Sequence, residues 1–192
     1  MRRLRHKRRR AFIASYEFPA ALRVKLRNEL GDDHQAAVAL EGLREWYLAC
    51  LSAPGEMLGM PSRAVDVAWH EMILMTRAYQ HFCDRAFGHY LHHTPDSVMD
   101  GSMHESLART LHVLETQSLP LAGVPLLFAI DGELGIEDGQ VWTAQEIDHL
   151  RDVELHRHSY YYTPGSGAGC AAGSGSSCGG GGCGGGGCGG GG

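Results

Sequence analysis

The chain lacks the features of membrane-spanning and secreted proteins. None of its 192 residues lies in a run approaching the roughly 18 consecutive apolar residues that a transmembrane helix needs. Glu17 and Pro19 interrupt the segment Ala11–Leu22, where the apolar part of a secretory signal would have to lie. We therefore expect a cytoplasmic protein. In that compartment the six cysteines stay reduced, which favours thiols or metal ligands over disulfides.

The chain is also short of the local signatures of common enzymes. Residues 1–163 contain no P-loop, no G-x-S-x-G nucleophile turn, no H-E-x-x-H zinc helix and no G-x-G-x-x-G loop. A Ser-His-Asp arrangement assembled from distant residues needs no such signature, so this absence leaves it open. The sequence therefore identifies no reaction, and function must be sought in side chains that the fold brings together.

Positive charge is scarce outside the first ten residues. That segment carries seven Lys and Arg and no acid, whereas the other 182 residues hold 10 Lys and Arg against 22 Asp and Glu. We expect residues 1–11 to be a disordered basic arm. Contact with RNA through residues 2–10, with an anionic lipid or with an acidic protein is one interpretation, and a solvated terminus is the simpler one. The acidic body itself argues against broad nucleic-acid binding.

What the chain does have is helical periodicity. Leucines spaced by four, Asp and Ser caps and a Thr-x-x-Glu capping box predict a mainly α protein, a single helical bundle over residues 12–162. We expect the central segment to break near Thr76, whose hydroxyl would cap the second half. Residues 125–134 fit either a helix or a strand. The other predicted helices are 19–30, 33–52, 64–87, 102–117 and 144–156.

The last residues form a glycine–cysteine tail. Residues 164–192 hold 17 of the 27 glycines and no charged residue. Such a segment buries too little apolar surface to offset its ordering entropy, so we predict that residues 163–192 are disordered. Its thiols could chelate a soft metal, could be cyclised by a modifying enzyme, or could belong to a plain linker. These thiols are Cys170, Cys178, Cys183 and Cys188.

Candidate metal ligands concentrate between residues 66 and 93. Asp66 and His70 are four apart and share a helix face, and Cys83 and the pair His92 and His93 follow. Carboxylate, imidazole and thiolate are the ligand types of zinc. The competing structural interpretation has Asp66 accepting a hydrogen bond from His70, with Cys83 as a small core residue. An enzyme using His70 as base or ligand, oriented by Asp66, is a further alternative.

The same segment resembles the glycine-rich domain-containing protein family, which has bacterial members and plant relatives. The resemblance implies a helical domain over roughly residues 20–160 with a variable low-complexity tail, and plant relatives have been suggested to bind RNA. The resemblance also includes the segment Pro125–Asp131 and the glycine–cysteine tail. The residues of the core pattern are Val65, Asp66, Trp69, His70, Ile73, Leu74, Thr76, Tyr79, Phe82, Cys83, Gly88, His92, His93 and Pro95.

Together these observations predict a binding or scaffold module with a protein partner. We expect metal binding, zinc being the first choice, in the region of Asp66, His70, Cys83 and His93. The alternatives are a metal-dependent or histidine-based enzyme, an RNA-binding protein that uses the basic arm, and a substrate of cysteine-modifying enzymes through the tail.

Overall fold

The computed structural model of the protein describes residues 2–93, 103–117 and 124–161. These residues form eight helices and no strand, which confirms the mainly α prediction and makes residues 126–134 a helix. The tail and its four cysteines lie outside the described residues. The helices are α1 (Arg2–Ala14), α2 (Ala20–Leu30), α3 (Asp33–Ser52), α4 (Arg63–Leu74), α5 (Thr76–Ala86), α6 (Met103–Gln117), α7 (Leu126–Leu134) and α8 (Ala144–Tyr161).

The helix starts follow the capping chemistry expected from the sequence. The Asp32 carboxylate accepts the Gln35 backbone N–H, and the Ser62 hydroxyl accepts that of Val65. At the start of α8, the Thr143 backbone N–H donates to the Glu146 carboxylate while the Thr143 hydroxyl accepts the Glu146 N–H, a reciprocal capping box. These caps satisfy backbone donors that the first helical turn leaves without partners.

The central segment breaks where predicted, but by a different device. Helix α4 ends at Leu74 and α5 begins at Thr76, with Met75 as the residue between them. No side chain caps α5, so the prediction of a Thr76 cap is wrong. Thr76 is already the first helical residue, whereas a capping side chain must come from the non-helical residue before the helix.

The first helix is the main departure from expectation. Residues 2–14 are helical, so the prediction of a disordered arm over residues 1–11 is wrong for residues 2–11. Ile13 is buried, and the Phe12 ring packs 5.8 Å from that of Phe82 on α5. The Arg44 guanidinium on α3 donates to the carbonyls of Ile13 and Tyr16 and so binds the end of α1. Packing of this apolar end against the core stabilises α1, although repulsion between its neighbouring cations disfavours a helix.

The core lies around α3, which contacts α1, α2, α4, α6 and α7. Gly42 on α3 allows α4 and α7 to approach closely, because a Cβ there would collide with Val65 on α4 and Ile130 on α7. Helices α6 and α8 pack against each other, and their buried leucine and isoleucine side chains belong to the same core. Within the described residues, no helix combines the length and the apolar character needed to cross a membrane.

A buried carboxylate fixes the start of α4. Asp131 on α7 is 1% exposed and accepts hydrogen bonds from the Ser62 hydroxyl and from the backbone N–H groups of Arg63, Ala64 and Gln140. Four donors to one carboxylate compensate its removal from water. This network orients α4, the helix that carries the candidate site.

Candidate metal centre

Two of the predicted ligands lie on one face of α4. The Nδ1 atom of His70 is 3.3 Å from the Oδ2 atom of Asp66 and 2.8 Å from its backbone carbonyl oxygen. Their spacing of four residues produces this contact, because residues four apart lie one above the other on a helix. If Nδ1–H donates to the carbonyl, Nε2 keeps a free lone pair, the usual arrangement for a metal-binding histidine.

The third ligand arrives from the segment after α5. The Nε2 atom of His93 lies 3.2 Å from Oδ1 of Asp66, and its ring centroid is 4.2 Å from that of His70. One ligand atom from each of the three residues can be chosen so that all lie within 4.8 Å of one another. We call Asp66, His70 and His93 the triad.

A short hydrogen-bond chain places His93. The Trp69 indole N–H donates to the Tyr79 hydroxyl at 3.0 Å, and that hydroxyl donates to the Leu91 carbonyl at 2.6 Å. Leu91 is only two residues before His93, whose ring packs 4.8 Å from Trp69. The chain therefore fixes the segment 88–93 against the same helix that carries Asp66 and His70.

Cys83 belongs to this supporting structure and not to the triad. It is fully buried, and it forms no part of a potential ligand cluster among the described residues. Burial raises the pKa of its thiol, while a hydrogen bond with the Leu91 backbone lowers it. Cys83 thus binds the same residue as Tyr79, and the interpretation of Cys83 as a metal ligand finds no support in its position.

His92 also lies outside the triad, although the sequence includes it with His93. Its side chain is exposed and its ring packs 4.8 Å from that of Tyr90. Among the described residues, His93 is the one histidine of the pair whose ring nitrogen joins the cluster with Asp66 and His70. The structure therefore brings together three of the five predicted ligands.

The separations within the triad are compatible with a metal site. Bonds of about 2.0–2.2 Å in a tetrahedron place neighbouring ligand atoms about 3.3–3.6 Å apart, close to the 3.2 Å between Nε2 of His93 and Oδ1 of Asp66. The 3.3 Å at His70 is measured from Nδ1, the atom that also contacts the Asp66 carbonyl, and not from Nε2. The same separations fit hydrogen bonds from histidine nitrogens to the carboxylate. The set of two histidines and one carboxylate is one that zinc and iron sites use.

A large cavity adjoins the triad, with a volume of about 900 Å³. The triad side chains are between 22 and 50% exposed, so they face this space and are not sealed in the core. Apolar side chains that include Met57, Met60 and Trp142 form part of its wall. Structural zinc sites are closed by four protein ligands, whereas three ligands beside a cavity leave a coordination position open.

Sequence reasoning missed the basic part of this wall. Arg5 and Arg9 on α1 and Arg63 on α4 all line the cavity. Residues 5, 9 and 13 are spaced by four, and the apolar Phe12 and Ile13 signal that this side of α1 faces inward. That signal was present in the sequence, but the density of charge favoured a disordered arm.

Comparison with known proteins places the chain in a family. None of the curated proteins and none of the solved structures is significantly similar to it. The model of the UCP032817-like family matches residues 8–161, a range that includes the whole triad as well as Arg9 and Arg63. Because this match covers most of the chain, the protein belongs to the UCP032817-like family.

Proposed function

We propose that the protein binds a divalent transition metal, zinc being the first to test, through Asp66, His70 and His93. The observation that carries this proposal is the convergence of the three side chains, from two separate segments, with ligand atoms within 4.8 Å of one another. Two of the three come from adjacent turns of α4, and the third is held by the Trp69–Tyr79–Leu91 chain. A surface cluster formed by chance would not have such support.

The open side of the triad favours a metal that acts on a ligand over a metal that only holds the fold. Three protein ligands leave at least one position for water or for an oxygen of a small molecule in the cavity. A metal there would lower the pKa of bound water or polarise a bound oxygen. Of the functions considered, a metal-dependent enzyme or small-molecule-binding protein therefore fits the geometry better than a purely structural scaffold.

The test is a zinc titration measured by isothermal titration calorimetry. The tail cysteines would compete for zinc, so the experiment uses the full chain with Cys170, Cys178, Cys183 and Cys188 replaced by serine. We expect one equivalent of zinc to bind. In Asp66→Asn, His70→Ala and His93→Ala, affinity should fall by at least about tenfold, the loss typical even of a residue that only supports a metal ligand.

His92→Ala is the matched control for this titration. It removes an imidazole from the neighbouring position, which the structure places outside the triad, and so should leave zinc affinity unchanged. Equal losses in His92→Ala and His93→Ala would show that zinc binds histidines without regard to this geometry. Binding that disappears only when the tail cysteines are replaced would assign the metal to the tail.

A second function, RNA binding through α1, is favoured by the ordered presentation of its cations. Exposed cations cover the helix, and among the described residues no ion pair joins them to an acid. Replacing Arg3, Lys7, Arg8 and Arg10 by glutamine should weaken binding of single-stranded RNA and reduce its dependence on salt. RNA binding that persists with the same salt dependence would show that α1 is not the RNA-binding element.

Three further expectations from the sequence complete the proposal. We infer a cytosolic setting, which agrees with the free thiols of Cys50 and Cys83. We also propose that the chain is related to glycine-rich domain proteins and that it binds a protein partner.

Modification of the tail cysteines can be tested by intact mass spectrometry of the protein from its own host. Azole formation removes about 20 Da per cysteine, and a disulfide removes about 2 Da per pair.

A further inference from the structure

The inner side of α1 changes character along its length. Ile13, Arg9 and Arg5 follow one another at intervals of four residues and therefore share a face of the helix. Ile13 is 1% exposed and packs in the core, while Arg9 is half-buried and both arginines line the cavity. The helix thus places an apolar anchor on the core and extends two guanidinium groups over the cavity.

Arg9 reaches the segment that follows α5. A Cβ atom at residue 88 would collide with the Arg9 guanidinium, so that group lies directly on the Gly88 backbone. Gly88 also has a φ of 80°, a conformation that favours glycine. Residue 88 begins the segment that carries His93. The guanidinium therefore lies beside the segment that completes the triad.

The charges that line the cavity are unbalanced. Three arginines, Arg5, Arg9 and Arg63, face two carboxylates, Glu56 and Asp66. Both carboxylates are already engaged: Glu56 lies 3.3 Å from Arg109, and Asp66 contacts the two histidines of the triad. Within the part of the chain that the structure describes, none of the three lining arginines forms an ion pair with an acid. The cavity therefore has positive charge to offer to a ligand.

We propose that this cavity binds a small phosphate monoester, with its phosphate against Arg5, Arg9 and Arg63 and its organic portion against the apolar wall. Guanidinium groups match phosphate oxygens through paired N–H donors, and a dianion needs more than one of them. Met57, Met60 and Trp142, flexible or aromatic side chains that suit an apolar group, line the same cavity. A volume of about 900 Å³ accommodates such a molecule.

This inference shares the cavity with the proposed metal but does not depend on it. A metal at the triad would add positive charge to the cavity and tighten binding. The arginines would hold the phosphate without it. The two proposals can therefore fail separately.

The test is calorimetric titration of the full chain, with the tail cysteines replaced by serine, using phenyl phosphate as the probe. We expect binding to the metal-free chain, tighter than that of inorganic phosphate, which lacks the ring, and of phenol, which lacks the charge. Arg9→Gln and Arg5→Gln should each weaken phenyl phosphate binding by about tenfold, as expected for one charge-assisted contact. Equal affinity for inorganic phosphate would overturn the assignment of the apolar wall.

Arg8→Gln is the matched control, because it removes the same charge from the same helix at an exposed position that does not line the cavity. Its affinity should match that of the unchanged protein. Equal weakening by Arg8→Gln and Arg9→Gln would show general attraction to a basic helix and overturn the proposal, as would a lack of phenyl phosphate binding to both the metal-free and the zinc-loaded chain. Arg5 is exposed, so Arg5→Gln keeps the test valid if Arg9→Gln disturbs the fold.

Discussion

Two carboxylates near the same helix show opposite uses of one chemical group. Asp131 meets the first turn of α4, is 1% exposed and accepts four hydrogen bonds, three of them from backbone N–H groups. Asp66 lies in the first turn of α4 itself and has a side chain 38% exposed. Among the described residues its carboxylate pairs with His70 and His93. The first is fully committed to the fold, and the second remains available to a metal.

The difference teaches how to separate stability from function in this protein. A buried carboxylate that already accepts four hydrogen bonds from the surrounding fold is not free to bind anything else. A carboxylate whose neighbours are two imidazoles beside a cavity can exchange those contacts for a shared metal ion. Substitution of the two residues should therefore affect different measurements.

The largest effect is expected for Asp131→Ala. The change leaves four donors without an acceptor, three of them buried or half-buried backbone groups, and should lower the free energy of unfolding by about 3 kcal/mol or more. Urea denaturation monitored by circular dichroism measures this change in the free energy of unfolding. Asp131→Asn, which keeps the size and one acceptor oxygen, should lose less. A loss below 1 kcal/mol in Asp131→Ala would break the contrast drawn above.

A smaller effect on stability, joined to an effect on the site, is expected for Tyr79→Phe. The change removes the hydroxyl that links the Trp69 indole to the Leu91 carbonyl and should cost about 1–3 kcal/mol of folding free energy. Since Leu91 leads to His93, zinc affinity should also fall by about 10–100-fold. If stability falls while zinc affinity stays unchanged, the hydrogen-bond chain does not position His93.

A third carboxylate, Glu45, tests the contrast through pH. Burial raises its pKa, and the Leu127 backbone N–H that it accepts acts in the opposite direction. The folded state therefore holds the proton more tightly than the unfolded chain, so stability falls as pH rises from about 4.5 upward. Glu45→Gln should flatten this fall and be more stable than the unchanged protein at pH 7, by less than the loss in Asp131→Ala. Identical pH profiles for the two proteins would contradict this account.

The smallest effect on stability is expected for Asp66→Asn. Its contacts are half-exposed, so the free energy of unfolding should change by no more than about 0.5 kcal/mol in metal-free protein. In zinc-loaded protein the same change should lower the melting temperature, because a metal that binds only the folded state stabilises it. An equal effect with and without zinc would make Asp66 a structural residue like Asp131.

Much of the fold could be predicted because the sequence signals of a helix lie within the helix and its flanking residues. Apolar residues at intervals of three and four, with Asp32, Ser62 and Thr143 as caps, give the helix positions within a few residues. The first helix could not be predicted in the same way. Its order depends on the docking of Phe12 and Ile13 against α3 and α5, a tertiary contact that outweighs repulsion between neighbouring cations.

The site was predictable in part for the same reason. Asp66 and His70 share a face by helix geometry alone, so sequence spacing pairs them. His93 joins them only because Tyr79 and Cys83 bind Leu91, an arrangement that spacing does not encode. Cys83 was included as a ligand because a buried thiol and a metal-binding thiol are indistinguishable in a sequence. The cavity, formed by segments far apart along the chain, carries no sequence signature.

The most direct test of the central claim is a crystal structure of the full chain grown with zinc, with anomalous scattering recorded at the zinc edge. The account predicts one strong peak within about 2.2 Å of a carboxylate oxygen of Asp66 and a ring nitrogen of both His70 and His93. A triad that keeps its hydrogen bonds of 3.2 and 3.3 Å with no peak between the three side chains, in crystals where zinc scatters elsewhere, would contradict it.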